Sequence, residues 1–255
     1  MTLLIAAALF ALGVVVASFI GVVAARLYTG EGFLAGRSRC DACGAPLPPA
    51  ALIPVVSYLA LRGRSRCCGV RLSAADPVAE LVLGALFALA YAKLGLSPAL
   101  ALMLVSLALL LALVRYDFAH QILPPPVLAA FVLAAALAGY LAAPSGYAFL
   151  SVLLTASLLA LSLALIHAIS RGRAMGLADA PLTLGLGLLA GPVALTGFVF
   201  SFWIGAAIGI LLLARRPRGS RMNSEVPFAP FLAAGFLLAY FTQWNLFAFA
   251  AVWPR

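Results

Sequence analysis

The chain has 255 residues, 65% hydrophobic and only 9% charged, where soluble domains carry roughly 25% charged residues. That composition, with a mean hydropathy of +1.16, excludes a water-soluble globular protein and predicts a polytopic membrane protein. Sixteen Lys and Arg against seven Asp and Glu give a net charge of +9, but the basic residues cluster in alternate loops, the positive-inside pattern, so lipids are expected partners and nucleic acid is not.

Taking about 20 apolar residues per span, the sequence predicts helices near 3–25, 78–96, 98–116, 125–143, 147–169, 181–196, 198–214 and 229–250. The fold class is therefore all-α: a polytopic helical membrane protein with about eight transmembrane helices and a small cytosolic cysteine-containing loop domain. No Lys or Arg precedes the first apolar run, which lacks the basic start of a signal peptide and is read as a retained helix. With the N-terminus outside, alternation places Arg37, Arg39, Arg62, Arg64, Arg66, Arg71, Arg115, Arg171, Arg173, Arg215, Arg216, Arg218 and Arg221 in the cytosol. Only Lys93 and Arg255 fall outside, and the C-terminus is expected there too. The expected division is 1–27 for the first helix, 28–77 for the cytosolic loop and 78–255 for the membrane core.

All four cysteines lie in that loop, in a reducing compartment, where metal binding is favoured over structural disulfides. A loop of about 50 residues buries little core and gains from a metal staple. Cys40-Asp41-Ala42-Cys43-Gly44 is half of a zinc-ribbon pattern, whereas Arg66-Cys67-Cys68-Gly69 offers two adjacent thiols. The expected metal ligands are Cys40, Cys43, Cys67 and Cys68, with zinc as the ion.

Two carboxylates stand at apolar boundaries: Asp117 in RYDFAHQILPPP and Asp179 in RAMGLADAPL. Acids at such positions are costly and usually functional. The predicted topology puts Asp117 just after an inward-running helix and Asp179 just before an outward-running one, so both reach the cytosolic boundary and can meet. The prolines at 124–126 stop the preceding helix, and Gly172 and Gly176 loosen the approach to Asp179. Roles as interfacial caps, or as partners of Arg115, Arg171 and Arg173, are the alternative for these acids. Glu80 is read either as a first-turn carboxylate facing the helix dipole or as a substrate contact. His120 is read as interfacial, and His167 as a hydrogen-bonding group between helices.

Taken in order, SFIGVVAARL at 18–27, RSRCDACGAPL, IPVVSYLALRGRSRCCG, DPVAELVLG, YDFAHQILP, MGLADAPLTLGLGLLAGP and EVPFAPFLAAG resemble the prepilin peptidases, or type IV leader peptidases, which are membrane aspartic proteases. The resemblance covers nearly the whole chain. It implies cleavage of the short basic leader of type IV prepilins or pseudopilins at the cytosolic face of the bacterial inner membrane. It matches Asp117 to the first catalytic aspartate, Asp179 to the aspartate of Gly-x-Gly-Asp, and Glu80 to a recurrent glutamate. It further implies zinc on the four cysteines and, with S-adenosylmethionine as donor, N-methylation of the new N-terminus. In such a site one carboxyl is ionised and draws a proton from water, while the other, protonated, donates a hydrogen bond to the scissile carbonyl.

Departures from the pattern are local. Gly-x-Gly-Asp reads Gly176-Leu177-Ala178-Asp179, and a positive φ at Ala178 would cost of order 1 kcal/mol. The family's Leu-Pro-Asp reads Leu123-Pro124-Pro125, a second nearby acid is replaced by Ala119, and an Asn of the first stretch is Gly21. The second C-x-x-C aligns with Ser65 and Cys68, which displaces Cys67. Rival readings are a catalytically degenerate relative serving as a pilus-assembly scaffold, and a small proton-coupled transporter.

Overall fold

The computed structural model describes residues 1–27, 38–40, 42–215 and 227–246. Arg37, Asp41, Arg216, Arg218, Arg221, Arg255, the first two residues of EVPFAPFLAAG, and the loop segment 28–37 lie outside the described residues. Nine α-helices occur among those described: α1 (Thr2–Arg26), α2 (Val56–Ala60), α3 (Ala75–Leu94), α4 (Pro98–His120), α5 (Pro125–Ala142), α6 (Gly146–Ser170), α7 (Asp179–Ala190), α8 (Ala194–Arg215) and α9 (Ala229–Thr242). Six stretches are long and apolar enough to cross a membrane, one of them the run Asp179–Leu212 that contains α7, and α9 is a shorter apolar helix. The chain is a multi-pass helical membrane protein. All eight expected apolar helices are present, and the short α2 in the cysteine loop is an addition.

Local chemistry sets the boundaries. Ser97 and Ser145 cap α4 and α6, their hydroxyls accepting the N–H of Leu100 and of Ala148, each at 3.2 Å. Pro98 and Pro125 sit at helix starts, where a missing N–H costs nothing. α4 continues one turn past its expected end, so Asp117 lies in the last turn of the helix rather than after it. Gln121 closes that helix in the left-handed region at φ 55, its N–H reaching the Asp117 carbonyl at 2.8 Å. The break expected near residue 197 falls instead at Gly191–Val193, because Gly191 at φ +67 turns the chain and Pro192 cannot continue the hydrogen-bond ladder. A Cβ built on Gly187 would lie 3.9 Å from Cβ of Ala194, against about 10 Å along an unbroken helix, so the chain turns sharply between α7 and α8. α9 ends at Thr242 rather than 250, with Gln243 at φ 55.

Contacts divide the chain into two compact units, Met1–Leu96 and Ser97–Arg255. In the first, α1 and α3 meet at paired glycines: a Cβ on Gly13 would fall 2.8 Å from Cα of Gly84, and one on Gly84 would fall 2.9 Å from the Phe10 carbonyl. Lipid offers no hydrophobic drive between helices, so such close backbone approach supplies the attraction.

The second unit is built around α7. All of its residues except Pro181 and Leu184 are buried, and at twelve residues it rises only about 18 Å. Gly187 leaves 2.8 Å between a Cβ and Ala156 on α6, and Gly139 on α5 leaves 2.7 Å to the Leu188 carbonyl. α8 and α9 run antiparallel, pairing Gly197 with Phe236, Ser201 with Gly235 and Gly205 with Phe231. The Ser201 hydroxyl is buried and donates to the carbonyls of Gly197 at 2.8 Å and Leu232 at 3.2 Å. A methyl group on Gly235 would run into the Ser201 backbone. Gly235→Val is therefore expected to cost about 3 kcal/mol or more and to deplete the membrane-inserted protein several-fold on quantitative immunoblots. Gly209→Ala is expected to leave the level unchanged, because a Cβ at that position meets open space.

Candidate functional site

Asp117 and Asp179 are 7% and 8% exposed and lie within electrostatic reach of one another. α4 delivers the first from its final turn and α7 delivers the second as its first residue. The backbone N–H of Ala229, heading α9, is directed at the Asp117 carboxylate. The other oxygen, Oδ2, is buried with no partner among the described residues, and so is the Thr183 hydroxyl. Thr183 lies one turn beyond Asp179, on the same face of α7. Orphaned buried polar atoms are rare and call for an explanation; sequence reasoning passed over Thr183, whose signal was a lone hydroxyl one helical turn after the acid.

The loop before Asp179 is tied back to the end of α6. His167 Nδ1 bonds the Met175 carbonyl at 2.8 Å, the Gly172 N–H bonds the His167 carbonyl at 2.9 Å, and the Ala174 N–H bonds the Ser170 hydroxyl at 3.2 Å. His167 thus anchors its own following loop instead of bridging helices, because Arg171 at φ 53 and Gly172 at φ +77 fold the chain back over it. Gly176 packs beside Asp179, a Cβ there lying 3.5 Å from Oδ2, and the Asp179 N–H bonds the Gly176 carbonyl at 3.3 Å. Ala178 has φ −68 and ψ −17, ordinary helical backbone, so replacement of the family's second glycine imposes no strain. Arg173 Nε donates to the Ser170 carbonyl at 3.2 Å. The His120 ring packs against that of Tyr116, tilted by 38° with centroids 4.3 Å apart.

The cysteine loop places Cys40, Cys43, Cys67 and Cys68 with all four Sγ atoms within 4.8 Å of one another. Two turns of matching geometry do this. In one, the Gly44 N–H bonds the Cys40 carbonyl at 2.8 Å and the Cys40 N–H the Ala45 carbonyl at 2.9 Å. In the other, Gly69 bonds Ser65 at 2.9 Å and Ser65 bonds Val70 at 2.8 Å. Gly44 and Gly69 both have φ +69, which only glycine adopts cheaply. Ser65 therefore occupies the backbone position of Cys40. Its hydroxyl lies 3.4 Å from the Cys40 sulfur and 3.0 Å from that of Cys67. Thiolates around a tetrahedral zinc stand about 3.8 Å apart, and Cys40–Cys68 at 3.8 Å and Cys43–Cys67 at 3.2 Å fit such an ion.

The clustered thiols also perturb one another. The Ser65 hydroxyl, with backbone groups of Ala42 and Cys43, lowers the Cys40 thiol to about 6. At Cys43 a backbone bond with Ala45 favours the thiolate, but Cys67 and the other crowded thiols outweigh it and push the group up to about 12. A bound cation would let all four ionise together.

Glu80 is buried and lies beyond the first turn of α3, where the acidic residue is Asp76. Its Oε2 accepts the N–H of Val55 at 2.7 Å. It is thus neither a first-turn partner of the helix dipole nor an exposed group. Val55 sits at φ 58, ψ −52, in a tight turn closed by the Val56 N–H on the Pro54 carbonyl. For a β-branched residue this conformation costs about 1–3 kcal/mol.

Comparison with known proteins places the chain. The model of the Bacterial Peptidase A24 N-terminal domain matches residues 11–94. A prepilin leader peptidase/N-methyltransferase of Bacillus subtilis (strain 168) is 34% identical over 244 residues, covering 91% of this chain and 92% of that protein. One from Myxococcus xanthus (strain DK1622) is 37% identical over 233 residues, 89% of this chain and 69% of the relative. One from Burkholderia pseudomallei (strain 1026b) is 34% identical over 212 residues, 78% of this chain and 65% of the relative. No solved structure matches. Because the similarity to the Bacillus relative runs through nearly the whole of both chains, the chain belongs to the prepilin leader peptidase/N-methyltransferase family.

Proposed function

We propose that this chain is an intramembrane aspartic endopeptidase that removes the leader of type IV prepilins or pseudopilins at the cytosolic face of the bacterial inner membrane, and that it also N-methylates the mature N-terminus. The observation that carries the peptidase is the pair of nine-tenths-buried carboxylates, Asp117 and Asp179, within reach of each other. Such a pair keeps one proton between two acids, which gives a base for water and a donor for the scissile carbonyl in one site. The unpartnered Asp117 Oδ2 and Thr183 hydroxyl are groups that water or a substrate amide would satisfy.

The reading keeps residues 1–27 as a first helix, 28–77 as the cysteine loop and 78–255 as the catalytic core, with both termini outside. The four thiols would hold a zinc ion whose part is to fold the loop; all four are ligands, so no open position serves catalysis.

The test is a tagged prepilin co-expressed with the chain and followed by mobility shift. Processing supports the peptidase. No processing across several prepilins, with the chain present in the membrane, would favour the scaffold instead, and proton-coupled flux in vesicles would favour the transporter. In the same assay Ala178→Gly is expected to change the processing rate by less than about twofold, because a helical φ gives glycine no advantage.

A further inference from the structure

The short helix α2 and the turn before it have two sides. Pro54, Val55, Ser57, Tyr58 and Leu61 line a cavity within the first unit, whereas Ile53, Val56 and Leu59 take no part in it and are 50%, 59% and 67% exposed. These three recur at every third residue and so share one side of the segment. A row of large aliphatic side chains gains nothing from standing in water, and rows of this kind mark contact with a membrane or a partner.

The depth of the segment fits a bilayer. Glu80 Oε2 holds the Val55 N–H at 2.7 Å, and Glu80 lies about 8 Å along α3 from its first residue, Ala75. Ser18, Phe19 and Val22 line the same cavity, and they lie roughly one to two turns before α1 ends at Arg26. Both α1 and α3 are long and apolar enough to span a membrane. The exposed row is therefore tied inside the ends of two spanning helices, at the level where interfacial helices rest, about 5–10 Å into the headgroup and acyl boundary.

The charges identify the lipid. Between Ala42 and Ser73 the sequence holds four arginines and no acid, and Arg62, Arg64, Arg66 and Arg71 are all exposed. Two of them oppose each other. Arg64 and Arg71 form an antiparallel bridge, flanked by the Ser65 N–H on the Val70 carbonyl and the Leu72 N–H on the Gly63 carbonyl, both at 2.8 Å. Such a non-hydrogen-bonded pair brings its side chains close together, where like charges repel. The first knuckle closes with the same bridge but sets Arg39 opposite Pro46, so the turn itself does not require a second arginine. An anionic phosphate group between the two guanidiniums removes the repulsion, since the planar fork of each matches phosphate oxygens.

We propose that Ile53, Val56 and Leu59 insert into the leaflet at the Arg26 end of α1, and that Arg64 and Arg71 hold there the headgroup of a phospholipid of net negative charge. A basic peptide such as a prepilin leader is repelled by the same four charges, which favours lipid as the occupant. The cysteine cluster, which follows α2 directly, is thereby held down on the membrane surface.

The experiment uses the full-length chain with p-benzoylphenylalanine in place of Leu59 or, separately, of Val56, reconstituted in vesicles of equal phosphatidylglycerol and phosphatidylcholine. After irradiation, mass spectrometry of the labelled peptide is expected to find phospholipid adducts at both positions, with phosphatidylglycerol ahead by at least about fivefold. Arg64→Gln combined with Arg71→Gln in the Leu59-labelled chain is expected to lower that ratio below about two. Adducts with protein alone, whether the same chain or a second copy, overturn the membrane surface. Lipid adducts without preference for phosphatidylglycerol, or a preference that survives the double variant, overturn the arginine pair as the headgroup site. The preference is read first with both arginines in place, so the proposal is decided even where the double variant fails to insert.

Discussion

Asp117→Asn and Asp179→Asn are each expected to reduce leader cleavage by at least about 10³-fold while leaving the protein at normal level in the membrane. General acid–base catalysis by one positioned group contributes roughly 10² to 10⁴, and groups acting as a unit lose nearly everything when either goes. An amide neither takes a proton from water nor shares one with its neighbour, so one substitution removes both functions of the pair. The amide is the same size as the carboxyl, and both positions are more than nine-tenths buried, so replacing an acid that is costly to bury leaves folding intact or improves it. The check is the initial rate of prepilin processing at matched enzyme level, with Tm measured beside it. Normal cleavage by either variant would mean that the catalytic pair lies elsewhere.

Cys67→Ser is expected to weaken zinc binding by about a hundredfold, and Ser65→Cys combined with Cys67→Ser to restore it. Structural zinc is worth about 10–16 kcal/mol in small thiolate sites, so one ligand of four accounts for about 3 kcal/mol. The rescue follows from the backbone. Ser65 makes the same two turn hydrogen bonds as Cys40, with the same φ of +69 at the following glycine position. A thiol at Ser65 would thus enter the cluster from the register that the first knuckle already uses. Metal content per chain and competition with a chromophoric chelator measure both steps. Full zinc affinity in the single variant would remove Cys67 from the ligand set, and failure of the double variant to recover a lost affinity would refute the equivalence of positions 40 and 65.

Much of this was legible in the sequence. Apolar length and the placement of Arg between spans pointed to eight apolar helices, because lipid forces every backbone group into internal hydrogen bonds. The two acids and the four cysteines stood out because the surrounding chain is so uniformly apolar. What stayed hidden depended on φ and on contacts distant in sequence. Nothing in Gly191-Pro192 said that the helix breaks there rather than six residues later. Nothing in the spacing of Val55 and Glu80 said that a carboxylate twenty-five residues away holds a strained turn. His167 was read as a contact between helices because an apolar helix surrounds it in sequence, while its actual partner is the carbonyl of Met175, on a loop that folds back only through Arg171 and Gly172. Thr183 looked like one more small residue until both the burial of its hydroxyl and the lack of a partner were visible.

The burial of α7 also bears on how this gene can vary. α6 exposes Leu150, Leu154, Leu158, Leu161 and Leu165, and a lipid-facing surface accepts one apolar side chain for another because lipid tails adapt to its shape. α7 has almost no such surface, and its Gly185 and Gly187 are filled on the far side by Phe131 and Ala156. Two apolar helices thus differ in what they can accept: exchange among Leu, Ile, Val and Phe is expected to be nearly free along the exposed face of α6, whereas at the buried positions of α7 a change of size is expected to be costly.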